Sequence, residues 1–163
     1  MIEIQSYKNE YRKEIIELII QIQRDEFNIP ITVDDQPDLS DISNFYQKGK
    51  SNFWVALNNG AVVGTIGLKE FSNHEGALRK MFVQQKFRGK LFGTASQLLQ
   101  TLLEWARKQK VNTIYLGTRE EFHAAQRFYK KNNFYEIPKS TLPVNFPLMK
   151  FDNKFYMYKS NLL

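Results

Sequence analysis

Ala77-Leu78-Arg79-Lys80-Met81-Phe82-Val83-Gln84-Gln85-Lys86-Phe87-Arg88-Gly89-Lys90-Leu91-Phe92-Gly93-Thr94-Ala95-Ser96-Gln97-Leu98-Leu99 reads as a strand, a basic glycine-containing loop and the opening of a helix, in unbroken succession. Residues 77–83 have the length and apolar content of a strand. From Thr94 to Lys108 the apolar residues Ala95, Leu98, Leu99, Leu102, Leu103 and Ala106 recur at helical spacing and define one face. The first turn of a helix leaves N–H groups without intrahelical partners and carries partial positive charge. A loop with Arg88, Lys90 and two glycines just ahead of that turn therefore suits a diphosphate, and Gly93 lets backbone approach it. Strand-to-helix loops of this composition also occur without a ligand. Two better-known phosphate motifs fail: Gln84 and Leu91 stand where a Walker loop needs Gly and Ser or Thr, and no Gly-x-Gly-x-x-Gly is present.

Working outward, the N-terminal half predicts a strand over Ile2 to Tyr7, then a helix over Asn9 to Phe27 with Ile15, Leu18, Ile19 and Ile22 on one face. Pro30 and Pro37 bracket a polar segment that cannot be helical throughout. A second helix is expected over Leu39 to Gln47, stopping at Gly49. Phe53 to Leu57 and Ala61 to Lys69 read as strands joined through Asn58-Asn59-Gly60, a strong hairpin signal. Downstream come a strand over Thr113 to Leu116, a helix over Glu121 to Lys131, a short strand over Phe134 to Ile137 and a last strand over Lys154 to Lys159. No repeat, linker or low-complexity tract interrupts this order, so residues 1–163 are expected to form one domain.

The absence of cysteine excludes a disulfide framework and a thiolate metal site, and two histidines are too few for a structural zinc centre. No apolar run approaches the roughly 20 residues of a membrane span, and the N-terminus reads as a strand rather than a leader. A soluble cytoplasmic protein without membrane association is the expectation. The net charge of +6 invites a nucleic-acid partner, but Lys and Arg are dispersed from Lys8 to Lys159 and no nucleic-acid motif accompanies them. Acidic residues gather instead at Asp34, Asp35, Asp38 and Asp41.

Val83 to Lys90 followed by Gly93 to Leu99 resembles the acetyl-CoA signature of the GNAT superfamily of N-acetyltransferases, Arg-Gly-x-Gly-x-Gly/Ala before a Leu-Leu helix. The run from Arg88 to Gly93 is longer than in that signature. The apolar helix face fixes the register and sets Gly93 and Ala95 on its last two small positions. Ala125 to Phe134 is similar to the family's Asn-x-x-Ala-x-x-Phe-Tyr-x-Lys-x-Gly-Phe, with Phe122 in the slot of the first Asn and Asn133 in that of the Gly. Asn follows Gly in tolerance of the left-handed conformation that ends helices. The specific resemblance covers Phe53 to Phe134.

The resemblance implies an α/β fold: a twisted, mostly antiparallel mixed sheet of about seven strands, splayed between strands 4 and 5 and flanked by about four helices. It implies acetyl transfer from acetyl-CoA, without a metal, to a primary amine by direct attack in a ternary complex, and leaves a homodimer open. By the same resemblance the cosubstrate would contact Met81, Phe82, Val83, Arg88, Gly89, Lys90, Phe92, Gly93, Thr94, Ala95 and Phe128, with backbone N–H groups at Met81 to Val83 as oxyanion donors. Tyr129 falls where relatives hold a tyrosine near the cofactor sulfur, and a phenol with an ordinary pKa near 10 is a reasonable proton donor to a thiolate. It equally suits the apolar face of its helix. Glu75 and Glu120 are candidates for the base, with Glu70 and His74 nearby, although each also reads as a solvated turn residue. A non-catalytic acyl-CoA-binding protein of the same fold is the alternative. The acidic segment Thr32 to Asp41 would lie at the acceptor entrance, where Asp34 and Asp35 could attract a protonated amine; Asp38, Ser40 or Asp41 could instead cap the second helix.

Overall fold

The computed structural model describes residues 1–160. Its strands are β1 (Ile2–Ser6), β2 (Asn52–Asn58), β3 (Ala61–Ser72), β4 (Glu75–Val83), β5 (Thr113–Thr118), β6 (Tyr135–Ile137) and β7 (Lys154–Lys159). Its helices are α1 (Arg12–Gln21), α2 (Ile42–Tyr46), α3 (Thr94–Lys108) and α4 (His123–Lys131). The strands form one seven-stranded sheet in the order β1-β2-β3-β4-β5-β7-β6, antiparallel except at β4 and β5. This is the mixed, splayed sheet that the resemblance implied.

The sheet is covered on both faces, which explains why β2 shows no polar alternation in its sequence. Phe53, Val55 and Leu57 point to one side and pack with Ile15, Ile19 and Ile22 of the first helical segment and with Ile42 and Tyr46 of α2. Trp54 and Ala56 point to the other and join Leu98, Leu99, Leu102 and Ala106 of α3. Asn59 and Gly60 both take positive φ, 51° and 83°, as the two-residue turn between β2 and β3 requires.

Local hydrogen bonding redraws three expected helix boundaries. The span Asn9 to Phe27 is not one α-helix: it opens as a 3₁₀ turn at Asn9–Tyr11, becomes α1, and ends as a π turn at Ile22–Glu26 closed by Phe27 N–H on the Ile22 carbonyl, 3.2 Å. In the π turn Gln23 is buried and exchanges two amide hydrogen bonds, both 2.9 Å, with buried Gln36. The helix expected from Leu39 breaks after a 3₁₀ turn at Pro37–Leu39 and restarts as α2, where Asp41 caps Asn44 N–H at 3.4 Å. α4 begins at His123 rather than Glu121, with Phe122 at its N-cap. Its far end turns through Asn133 at φ 71°, with Phe134 N–H on the Tyr129 carbonyl, so asparagine performs the left-handed termination expected of it.

The decisive feature is the short pairing of β4 with β5. It lasts only for Glu75 with Thr113, Gly76 with Ile114 and Ala77 with Tyr115. Beyond Ala77 the strands part, and the β5-facing edge of β4 from Leu78 to Val83 has no strand partner among the described residues. A bulge assists the parting: between Arg79 and Phe82 β4 carries one residue more than β3 opposite it, and Lys80 sits there in the left-handed region at φ 53°. Thr65 Oγ1 donates to the Lys80 carbonyl at 2.6 Å and pins the bulge.

Candidate active site

The parted strands enclose a cleft of about 820 Å³, within the range of sites that bury small organic ligands. One wall is β4 from Leu78 to Val83, and the other is the start of α4 with Phe128 and Tyr129. Arg88, Gly89 and Ala95 line one end, while Phe146, Pro147, Met149 and Asp152 contribute from the long connection between β6 and β7. Of the residues expected to hold the cosubstrate, Met81, Phe82, Val83, Arg88, Gly89, Ala95 and Phe128 therefore line one space with Tyr129.

Lys90, Phe92, Gly93 and Thr94 lie in the adjoining loop and helix start but do not line the cleft. Gly93 takes φ 62°, accepts Gln97 N–H at 3.0 Å and donates its own N–H to the Gly89 carbonyl at 3.1 Å, which closes the loop onto the helix. Buried Thr94 donates its hydroxyl to the Phe87 carbonyl at 2.9 Å, and Phe92 packs edge-on against Phe87. Lys90 is exposed. Arg88 is held from two sides: Nε donates to the Val83 carbonyl at 2.8 Å and the guanidinium pairs with Glu26 of the π turn at 2.7 Å. The adjacent Phe27 stacks on Phe122 with ring centroids 4.1 Å apart. The aromatic in the slot of the family's asparagine thus joins the π turn to the start of α4 along the cleft.

Tyr129 is buried among Phe128, Phe134 and Tyr156, and its hydroxyl lies 3.8 Å from the Met81 sulfur. Burial raises its pKa far above the usual phenol range, and the Asp152 carboxylate adds to the effect. At neutral pH the hydroxyl is protonated, a weaker acid than a free phenol but available to a sulfur on which negative charge has developed, and it cannot begin as a base.

The carboxylates expected as bases stand elsewhere. Glu75 is at the closed end of the β4/β5 pair, where it accepts hydrogen bonds from Ser72 and, at 3.4 Å, from Tyr115. Glu120 is exposed just beyond β5, outside the cleft lining. Glu70 accepts the Lys50 N–H at 3.0 Å, and His74 Nδ1 lies 2.8 Å from the Lys110 carbonyl; neither reaches the cleft.

The acidic segment divides by role. Asp35 closes a turn by accepting the Thr32 N–H and hydroxyl at 2.9 and 3.0 Å, which lowers its pKa, and Asp34 is exposed; neither lines the cleft. Asp38 does not cap a helix but is buried, accepting from Tyr46 at 2.6 Å and lying 3.8 and 3.6 Å from Arg79 and Lys80. Lys80 Nζ also donates to Gln36 at 2.9 Å, and burial lowers its pKa to about 8.

Sequence reasoning missed Arg79, Lys80 and Asp152 as cleft residues. Asp152 reaches the cleft because the β6–β7 connection is anchored by Phe146, which packs edge-on against Tyr115 and Phe155. Its carboxylate then rests on Gly117 of β5, where a β-carbon would lie 2.9 Å from Asp152 Cγ. Burial raises the Asp152 pKa to about 6 against the opposing pull of Arg79, Lys80 and Arg119. The one sequence signal was a glycine inside an apolar strand, which marks close approach by another group.

No cluster of potential metal ligands and no helix long and apolar enough to cross a membrane is found among the described residues. The acetyltransferase (GNAT) family pattern matches residues 16–134. An acetyltransferase of that family from Staphylococcus aureus Mu50 superposes with a TM-score of 0.93 at 42% identity, covering 98% of this chain and 99% of that one. N-acetylaspartate synthetase of Xenopus tropicalis is 36% identical over 104 residues, 61% of this chain and 37% of that protein, so the chain spans well under half its length. The PaiA N-acetyltransferase of Thermoplasma acidophilum, solved in complex with coenzyme A, shares the fold at a TM-score of 0.74 and 16% identity over 98% of this chain and 99% of that one.

Proposed function

Since the chain belongs to the acetyltransferase (GNAT) family, we propose that it is a cytoplasmic enzyme, acting as one catalytic domain, that moves an acetyl group from acetyl-CoA to a primary amine by direct attack in a ternary complex. The single observation that carries this reading is the cleft between β4 and β5. It combines an unpaired strand edge and a protonated phenol in one space, with the glycine-closed start of α3 adjoining it and reaching it through Gly89 and Ala95.

Each part has a chemical use. The free edge at Met81 to Val83 supplies backbone groups for the amide-rich arm of the cosubstrate and for the oxygen of the thioester as charge develops on it. The first turn of α3 and the loop from Arg88 to Ala95 offer N–H donors and positive potential to a diphosphate. Arg88 reaches a phosphate by exchanging its pairing with Glu26. Tyr129, whose proton is retained by burial, donates it to the departing thiolate.

The test is an acetyl-CoA-dependent screen across amine classes that reads both free thiol and N-acetylated product. Equal yields of the two for at least one amine are expected. Acetyl-CoA binding with neither product from any class would instead fit the non-catalytic acyl-CoA-binding alternative.

A further inference from the structure

Resting on the amine-acetylation reading above, we infer that Asp152 is the residue that meets the acceptor's ammonium group in the β4/β5 splay and takes its proton. The position is unusual for a carboxylate. Asp152 lines the cleft together with Tyr129, yet among the described residues its side chain makes no hydrogen bond and no ion pair within 4.0 Å. The two cations nearest in sequence to the splay are engaged elsewhere: Arg79 donates to the Met149 sulfur at 2.9 Å and lies by Asp38, while Lys80 donates to Gln36 and also lies by Asp38. Asp38 therefore holds both cations out of direct ion pairing with Asp152, although their field still reaches its carboxylate and lowers its pKa against the larger effect of burial. A partly buried carboxylate that lines a cleft without a protein partner is matched by a cation that arrives from outside, and an alkylammonium supplies both the charge and the hydrogen-bond donors.

The charged and titratable groups around it define the pH response. Arg79 and Lys80 face it from β4, Arg119 from the end of β5 and Tyr129 from α4; Glu121 and His123 line the same cleft, and β5 itself contributes only Gly117. At neutral pH Asp152 is ionised and ready to accept a proton, with a pKa of about 6. The steps balance. The ammonium loses one proton to Asp152, the freed nitrogen forms its bond to the thioester carbonyl carbon, and the carbon–sulfur bond breaks. The departing sulfur takes the Tyr129 hydroxyl proton, the new amide nitrogen returns its surplus proton to Tyr129, and Asp152 releases its own to solvent.

The experiment is the pH dependence of kcat/KM for one alkylamine acceptor, in wild type and Asp152→Asn, with acetyl-CoA affinity measured by calorimetry on both. In wild type, kcat/KM should rise through about pH 6 and stay level up to the pKa of the acceptor, because the ionised carboxylate acts on the protonated amine. Asp152→Asn should bind acetyl-CoA normally and lose roughly 10²- to 10⁴-fold at pH 7. Its rate should then climb tenfold per pH unit as free amine accumulates, approaching wild type at high pH. A structural role for Asp152 would not change the profile's shape, so parallel profiles for the two proteins would overturn the assignment. If the variant does not fold, wild type alone decides: a tenfold climb per unit between pH 6 and the amine pKa, in place of a plateau, overturns it equally. Wild-type protein that acetylates no amine would overturn the reaction itself and this assignment with it, an outcome distinct from either.

Discussion

Tyr129 and Asp152 line the same cleft, and burial acts on both in the same direction while giving them opposite duties. The phenol cannot lose its proton without help, and the carboxylate is ionised just below neutrality. Tyr129→Phe keeps the aromatic packing against Phe134 and Tyr156 and removes only the hydroxyl. It should lower kcat by on the order of 10- to 1000-fold while coenzyme A affinity stays within twofold, measured by steady-state kinetics and calorimetry. Asp152 carries a stability consequence of the opposite sign to its proposed use. Its carboxyl is harder to ionise in the folded chain than in the unfolded one, so the native state holds an extra proton between about pH 4 and 6 and stability falls as pH rises through that window. Asp152→Asn cannot ionise. It should raise stability at pH 7.5 by on the order of 1–3 kcal/mol, with little gain at pH 3.5, as read by urea denaturation at the two values. These two residues differ in legibility. Tyr129 lies in a local pattern, Phe-Tyr-x-Lys, whereas Asp152 sits in Phe151-Asp152-Asn153, a tripeptide with no distinguishing spacing. Only the tertiary approach of the β6–β7 connection to Gly117 gives that aspartate a role.

Among the elements, those with a complete local signal were read correctly. The β2–β3 hairpin had its Asn-Gly turn, α3 its uninterrupted apolar face, and the end of α4 its asparagine. Replacing Asn133, which sits at φ 71°, tests the last: Asn133→Ala should cost about 1 kcal/mol in urea unfolding, and Asn133→Gly should cost nothing or stabilise. The elements misread are those in which a distant side chain decides the backbone. The π turn at Ile22–Glu26 places Gln23 against Gln36, and the 3₁₀ turn at Pro37–Leu39 places Asp38 under Arg79 and Lys80. Neither partner is visible from within its own segment. The same holds for the bulge at Lys80, since a lysine in the left-handed region inside an apolar strand contradicts every local preference and is held by Thr65 and Gln36. The loop that closes on α3 also makes a prediction: Gly93→Val, at φ 62°, should abolish coenzyme A binding in calorimetry while the circular dichroism of the folded protein is retained.

For the molecule as a whole, the sheet acts as two parts joined by three residue pairs at the base of β4 and β5, with helices packed on both faces. Among the described residues, contacts that cross the resulting opening include Phe27 stacked on Phe122, Arg79 donating to the Met149 sulfur and the Tyr129 hydroxyl against the Met81 sulfur, while Arg88 pairs with Glu26 beside it. If the diphosphate takes Arg88 from Glu26, removing the competitor should help. Glu26→Gln is expected to tighten coenzyme A binding severalfold at low salt, with the gain shrinking as ionic strength rises, as followed by calorimetry. The proposed chemistry requires the cosubstrate to lie in the cleft between β4 and β5. A crystal structure of the wild-type protein grown with coenzyme A measures this directly. It should show the diphosphate at the first turn of α3, the amide-bearing arm along β4 from Met81 to Val83, and the sulfur within hydrogen-bonding reach of the Tyr129 hydroxyl. Coenzyme A bound outside that cleft, or within it with its sulfur turned away from Tyr129, would contradict the proposed role of the cleft and of Tyr129.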